Sequence, residues 1–167
     1  VIEKSIKAFY ERYKLKSVKQ QDFRKVLSEF SPKDVNWFFE DYVDSKTKID
    51  FTFGDVEEKG DSLIVTIINK KNNNMPVSLY GINNGRVVYK KWVENVNPTR
   101  TVVIPKQGIE RLALNYHLVI PEVNARNNFD GIDAILNKPI QFRLFQDFED
   151  PRYTQVFFMP EFDYNLY

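Results

Sequence analysis

The sequence predicts an α+β fold in which a short segment of three helices precedes an antiparallel, immunoglobulin-like β-sandwich. Apolar residues recur at helical spacing over residues 2–44, and from Ile49 onward the period changes to two. Six short runs rich in β-branched and aromatic residues then follow, with turn residues between them, which is typical of a sandwich. No helical pattern interrupts these runs, so a parallel sheet is not expected.

Each of the three predicted helices carries an apolar stripe. In the first helix the stripe consists of Ile2, Ile6, Phe9 and Tyr13. The second is expected to begin with a capping box between Ser17 and Gln20, and its stripe consists of Phe23, Val26, Leu27 and Phe30. The third is expected to begin with Pro32 at its first position. Its stripe consists of Val35, Phe38, Phe39 and Tyr42, widened by Trp37 and Val43, so we expect it to be buried over much of its circumference.

The predicted strands are short. They cover residues 49–56, 63–69, 76–82, 86–93, 99–104 and 109–116, and two further candidates lie at 140–144 and 154–159. Asn84-Gly85 between two of these runs is a strong hairpin signal. Residues 63–68 have apolar side chains at both odd and even positions, which predicts a central strand. In contrast, Leu112 and Leu114 alternate with Arg111 and Ala113, which predicts a half-buried strand.

Composition excludes several classes of function. The chain has no Cys, so disulfide frameworks, thiolate nucleophiles and Cys-based zinc sites are excluded. Its single histidine, His117, cannot form the histidine pair of an HExxH zinc site, and no serine lies in a GxSxG context. With 24 Lys plus Arg against 23 Asp plus Glu the chain is nearly neutral, which argues against nucleic acid as a partner.

Three segments are expected: a helical segment over 1–46, the sandwich over 47–128 and an extension over 129–167. The extension is acidic, with three basic against seven acidic residues, and dense in aromatic residues. No apolar run reaches the roughly 18 residues of a membrane span, so we expect no membrane insertion by this segment. The chain starts with Val1 and an amphipathic pattern is already present at Ile2, so we expect a piece of a longer chain.

Candidate chemistry is sparse. Asp147, Glu149 and Asp150 could ligate a hard cation or act as a carboxylate pair, but a solvated acidic turn is the favoured interpretation. His117 is expected to be a hydrogen-bonded structural imidazole. The aromatic residues of the extension could form a platform for sugar rings or the apolar side of an interface. Because the extension is rich in Phe, which has no polar tip for sugar hydroxyls, the interface is favoured.

Two stretches resemble the aminopeptidase N (gluzincin) family of zinc aminopeptidases. In that family a segment like S-x-x-D-L-x-W-F-F-x-x-W-L closes the catalytic domain ahead of a β-sandwich. The matching residues here are Phe23 through Phe30, then Ser31, Asp34, Val35, Trp37, Phe38, Phe39, Tyr42 and Val43, with Tyr42 where the family usually has Trp. The residues that resemble the end of the family's sandwich are Trp92, Glu122, Asn124, Asn127 and Asn128. The resemblance covers residues 1–128, and residues 129–167 resemble an extension of longer bacterial members, some of which continue towards an outer-membrane region.

The resemblance implies a non-catalytic, structural carboxy-terminal region of a bacterial zinc aminopeptidase-like protein. Nothing here matches the family's HExxH, its more distant Glu or its Gly-x-Met-Glu-Asn strand, so no catalytic, cofactor-binding or metal residue is expected, and zinc is expected only in the parent's catalytic domain. The implied partner is the remainder of the parent chain, in the periplasm or cell envelope. The residues expected to pack between domains are Phe23, Phe30, Trp37, Phe38, Phe39 and Tyr42. A carbohydrate- or peptide-binding sandwich module is the alternative.

Overall fold

The chain combines helices with antiparallel sheets and divides into two compact units, Val1–Thr47 and Lys48–Tyr167. This computed structural model describes residues 1–145 and 148–160. The mixed α+β class is therefore as predicted. The division of the chain into three segments stays a prediction.

The first unit contains helices α1 (Ile2–Tyr13) and α2 (Gln20–Phe30) and a π-helix (Phe38–Val43). Ser5 of α1 is fully buried, and Phe9 packs edge-on against Phe23 of α2 with ring centroids 5.3 Å apart. Ile2 and Ile6 are more than half exposed, so their predicted place in the buried stripe is wrong. The residues that face α2 are those spaced four apart from Ser5, because such residues share one side of a helix.

The two other helical segments begin later than predicted. At α2 the side chain of Asp22 accepts a hydrogen bond from the Lys19 amide at 2.8 Å, so this reciprocal cap replaces the expected Ser17–Gln20 box. The third segment begins at Asn36 rather than Pro32, and the Asp34 carboxylate accepts a hydrogen bond from the Asn36 amide. A carboxylate at this position satisfies an amide that has no partner within the helix.

The third segment is a π-helix rather than an α-helix. The Asp44 amide donates to the Phe39 carbonyl at 2.8 Å, a bond that spans five residues. Phe39 is the buried residue of this helix, whereas Tyr42 and Val43 are almost half exposed. The expectation of burial around most of its circumference is therefore wrong, because the wider turn no longer places the apolar residues on one inner side.

The second unit has nine strands among the described residues. They are β1 (Phe51–Lys59), β2 (Ser62–Asn69), β3 (Val77–Asn83), β4 (Arg86–Val93), β5 (Thr99–Pro105), β6 (Arg111–Leu114), β7 (Phe129–Gly131), β8 (Ile140–Arg143) and β9 (Thr154–Phe157). A 3₁₀ turn covers Ala125–Asn127. All eight predicted strand regions contain a strand, β4 with the predicted ends and the others with ends that differ by one to three residues, and β7 was not predicted.

Strands β1 to β7 form two antiparallel sheets, with the orders β1-β2-β5 and β4-β3-β6-β7. Strand β2 is central in its sheet, as predicted from the apolar residues at both its odd and its even positions. The hairpin between β3 and β4 turns at Asn84-Gly85, where both residues have positive φ, and Asn83 pairs with Arg86. Two positive φ values match the twist of the flanking strands, and Asn and Gly adopt them most easily.

Two features of the sheets differ from expectation. Leu112, Ala113 and Leu114 of β6 are all buried, so the predicted half-buried strand is wrong. The second side of β6 is covered because Ala113 belongs to a buried cluster with Tyr80 and Phe129, against which Tyr116 packs. Strands β8 and β9 pair in parallel, an arrangement that was not expected.

The core of the second unit is aliphatic. Its fully buried side chains include Leu63, Val65, Ile67, Leu79, Ile104, Ile109, Leu112 and Leu114. They come from β2, β3, β5 and β6 and from the residue pair before β6, so both sheets contribute. Burying each such side chain stabilises the fold by about 1.5–3 kcal/mol relative to leaving it in water.

Candidate functional site

The Glu122 carboxylate lies at the centre of a partly buried polar cluster in the second unit. Its Oε2 accepts a hydrogen bond from the Phe51 amide at 2.8 Å, where β1 begins. Its Oε1 accepts from the side-chain amides of Asn115 at 2.9 Å and Asn128 at 2.7 Å. We call Glu122, Asn115 and Asn128 the polar clasp, because it joins the start of β1 to both ends of the segment between β6 and β7.

Asn115 also holds the segment that carries Glu122. Its side-chain oxygen accepts from the Ile120 amide at 3.1 Å, and its side-chain nitrogen donates to the Ile120 carbonyl at 2.6 Å. Asn115 has a positive φ of 47°, a conformation that Asn tolerates better than most residues. This pair of bonds closes the loop from Asn115 to Ile120 and thereby positions Glu122 two residues later.

Burial dominates the electrostatics of the clasp. The pKa of Glu122 is raised above its ordinary value of 4.5, first by desolvation and also by the nearby charge of Asp50, while the three N–H donors act in the opposite direction. Asp50 is 7% exposed, and its Oδ1 is buried without a hydrogen-bond partner in the described residues. Two carboxylates thus lie near one another in a region of low dielectric constant.

The arrangement is suited to holding a carboxylate rather than a metal ion. Three N–H donors converge on Glu122, and the amide of Asn115 is fixed in orientation by its bonds to Ile120, so its nitrogen faces the carboxylate. Within residues 1–145 and 148–160, no group of three or more His, Cys, Asp and Glu side chains could hold a metal ion. The clasp therefore joins separate backbone segments through hydrogen bonds to one carboxylate.

Glu122, Asn124, Asn127 and Asn128, which resemble a family pattern, each have a local role in the structure. Asn124 accepts a hydrogen bond from the Arg126 amide at the start of the 3₁₀ turn, and the Asn127 carbonyl accepts from the Thr52 hydroxyl. Sequence reasoning missed the partner Asn115. The sequence does offer one indication of its role. Asn115 lies near the end of the predicted strand over residues 109–116, and an amide side chain that is buried there needs hydrogen-bond partners.

A second buried amide cluster lies in the segment between β2 and β3, which contains Asn72, Asn73 and Asn74. The Asn69 side chain donates to the carbonyls of Asn73 at 2.8 Å and Val96 at 2.9 Å. The side-chain oxygen of Asn73 in turn accepts from the Met75 amide. This segment is thus an ordered turn held by side-chain amides inside the unit.

Five of the six residues predicted to pack between domains, all but Phe30, form a connected set in the first unit. Ring contacts join Phe23 to Phe39, Phe38 to Phe39, Trp37 to Phe38, and Phe38 to Tyr42, with centroid separations of 5.2–6.4 Å. The Arg24 guanidinium lies 5.4 Å from the centre of the Phe39 ring and also pairs with Glu40. Such contacts stabilise an aromatic cluster beyond the area that it buries.

Members of this set differ in exposure. Phe39 is 2% exposed, whereas Phe30 and Tyr42 are 37% and 45% exposed. Phe23, Trp37 and Phe38 are half-buried. The first unit therefore buries one of the six rings completely, and the assignment of these residues to an interdomain contact stays a prediction.

The predicted acidic cluster does not form a site among the described residues. Asp150 makes a bidentate pair with Arg152, with bonds of 2.9 and 2.7 Å, and Glu149 pairs with Arg126. Asp147 lies outside the described residues, as do the aromatic residues Phe162, Tyr164 and Tyr167 of the extension. The two carboxylates are thus held by separate arginines.

His117 lies among tyrosines. Its ring centroid is 5.2 Å from those of Tyr80 and Tyr116, with interplanar angles of 86° and 64°. Tyr80 is buried, and its ring also receives Lys90, whose Nζ lies 5.5 Å from the centroid. These tilted rings differ from the coplanar, exposed platform that a sugar-binding module would use.

Comparison with known proteins identifies no relative. No family model, no curated protein and no solved structure matches the chain. Over the part of the chain that the structure describes, no helix has the length and apolar character needed to cross a membrane.

Proposed function

We propose that this chain is a non-catalytic, structural carboxy-terminal region of a zinc aminopeptidase-like protein. The proposal rests on the family resemblance, and the polar clasp is the observation that supports it. One side chain that the resemblance includes, Glu122, has both carboxylate oxygens engaged by backbone and amide N–H groups. A carboxylate bound in this way stabilises a rigid body and is not available to a substrate.

In this proposal the two antiparallel sheets form an immunoglobulin-like sandwich. The orders β1-β2-β5 and β4-β3-β6-β7 and the buried aliphatic residues contributed by both sheets support it. Its role is to orient the parent's catalytic domain, in which zinc is expected. Because parent and compartment follow from the resemblance, a periplasmic or cell-envelope location is part of the same proposal.

The helical unit supplies the packing surface in this proposal. Ile2, Ile6 and Tyr10, spaced four residues apart on α1, are 53–63% exposed. An exposed apolar row on a helix is typical of a surface that is covered in a larger assembly. The catalytic domain of the same parent is the proposed partner, with the rings of Trp37, Phe38 and Tyr42 contributing to the contact.

The proposal is tested first on the chain itself. Purified protein is expected to contain no stoichiometric zinc by elemental analysis and to show no turnover of aminoacyl chromogenic substrates. Zinc at one equivalent together with turnover would overturn the proposal. The reading frame upstream of residue 1 is expected to encode an HExxH motif, and a frame that lacks one would also overturn it.

The packing role is tested in the full parent chain with a matched pair of variants on α1. Ile6→Asp is expected to lower the melting temperature of the catalytic domain and its aminopeptidase activity, because it places a charge in the apolar row. Lys7→Asp changes an exposed residue one position along and is expected to leave both unchanged. Equal effects of the two variants would refute the assigned surface.

A further inference from the structure

Strand β4 is an outer strand of the four-stranded sheet. It pairs with β3 on one side, and in the described part of the chain no strand pairs with its other side. The outer edge of such a strand presents backbone N–H and C=O groups that can pair with another extended chain. At eight residues, β4 is long enough to accept a whole strand.

The apolar side chains of β4 are accessible. Val87 and Trp92 pair with Ile82 and Ser78 and so lie on one face of the sheet, where they are 40% and 47% exposed, and Val88, at the register shift in β4, is 47% exposed. An incoming strand would therefore find apolar contact beside the backbone edge. Trp is enriched among the residues that contribute most to binding energy at protein interfaces.

The strand is basic. Arg86, Lys90 and Lys91 are exposed, and the strand contains no acidic residue. None of these three side chains has a carboxylate within ion-pair distance among the residues that the structure describes. The charges of Arg86 and Lys91 are therefore available to a partner, while the Lys90 ammonium also lies over the Tyr80 ring.

These charges select the partner. A second copy of β4 would bring like charges opposite one another, which is unfavourable in a strand pair, and lysines on an edge oppose self-association. An acidic strand would form opposite-charge cross-strand pairs at the same positions. We propose that the edge of β4 binds an extended acidic peptide segment by strand addition.

Strand β5 provides an internal comparison because it is an outer strand of the other sheet. It contains one basic residue, Arg100, and its exposed residues include Thr101 and Val103. An acidic strand gains fewer charge pairs there. The proposal therefore predicts preference for one edge over the other within the same unit.

The test is an NMR titration of the isotope-labelled full chain. The probe is a capped octapeptide of alternating Val and Glu, and amide shifts are expected at residues 86–93. The same peptide with Lys in place of Glu is expected to bind at least about fivefold more weakly, since each cross-strand charge pair changes sign. A peptide with Pro at its centre is expected to bind more weakly, because Pro cannot donate to the ladder.

Matched variants locate the site. Lys91→Glu is expected to weaken binding of the acidic peptide about fivefold, whereas Arg100→Glu, the same charge change on β5, is expected to leave it within twofold. Equal binding of the acidic and basic peptides would overturn the proposal, as would shifts centred on β5. So would binding of anionic phospholipid vesicles at residues 86–93 without binding of the peptide, or concentration-dependent shifts there without any peptide. The peptide comparison needs no variant and does not depend on the proposed parent.

Discussion

The two units of this chain are stabilised by different means. The second unit buries many aliphatic side chains in two sheets and joins distant segments through a polar clasp. In the first unit, the buried residues are Ser5, Val26, Leu27 and Phe39, and its rings are mostly half-buried. Helices of 12 and 11 residues are marginal in water unless packing supports them. The second unit thus has an extensive aliphatic interior, whereas few side chains of the first unit are buried.

This comparison predicts the largest effect in the core of the second unit. Leu79 is fully buried in β3, between β4 and β6. Leu79→Ala is expected to lower the free energy of unfolding of this unit by about 3 kcal/mol, because it removes buried methyl groups and leaves a cavity. Urea denaturation followed by near-ultraviolet circular dichroism measures it. The control Val88→Ala, on the exposed side of the neighbouring strand, is expected to change stability by less than about 0.5 kcal/mol.

The first unit is expected to respond differently to a similar change. Phe39→Ala removes the ring on which Phe23, Phe38 and Arg24 pack, at a local cost of about 3 kcal/mol. Because few other side chains are buried there, this is expected to unfold the helices and reduce the helical signal at 222 nm. The transition of the second unit is expected to stay in place. Loss of both units together would contradict the proposed independence.

The matched control in the first unit is Tyr42→Ala. Tyr42 stacks on Phe38 but is 45% exposed, so less area is lost on truncation. Its effect on the helical signal is expected to be much smaller than that of Phe39→Ala. Equal effects would mean that the exposed rings stabilise the helices as much as the buried one does.

The polar clasp is expected to contribute less than the core but more than any exposed polar pair. Glu122→Ala leaves the Phe51 amide and the side chains of Asn115 and Asn128 without their shared acceptor. The free energy of unfolding of the second unit is expected to fall by about 2 kcal/mol, the usual cost of an unsatisfied buried donor. Glu57→Ala, at an exposed position of β1, is the control and is expected to have little effect. Equal stability of the two variants would show that water replaces the clasp.

Much of the second unit follows from its sequence because strand signals are local. Alternation, β-branched residues and Asn84-Gly85 predict the strands and the hairpin without knowledge of distant contacts. The parallel pairing of β8 and β9 could not be predicted, because pairing direction depends on how the chain between two strands returns. The burial of Ala113 depends on Tyr80 and Phe129, which are far away in sequence.

The helical unit was harder to predict in detail. Apolar spacing identified the helices, but competing side chains determined their starts: Asp22 rather than Ser17 caps α2. The π-helical bond from Asp44 to Phe39 has no signal in an apolar stripe. At the clasp, the sequence pattern identified Glu122 and Asn128, whereas Asn115 and Asp50 required the tertiary arrangement that brings them together.

The smallest effect concerns pH. Burial holds the pKa of Glu122 above 4.5 in the folded state, so the folded chain retains this proton at a pH where the unfolded chain releases it. The contribution of this group to stability is therefore complete below its unfolded pKa and is lost as pH rises through the folded pKa. Asp150 acts in the opposite sense and in another window, since Arg152 lowers its pKa below 3.8 and its contribution is lost on acidification.

Urea denaturation of the second unit between pH 4.5 and 8 separates these groups. The free energy of unfolding of the native chain is expected to fall with rising pH relative to that of Glu122→Gln, because the variant cannot ionise at this position. Asp130, whose pKa burial also raises, adds a change of the same sign in both proteins and so cancels in the difference. A constant difference for Glu122→Gln would mean that the three N–H donors outweigh burial, in which case the clasp would hold an ordinary ionised carboxylate throughout this range.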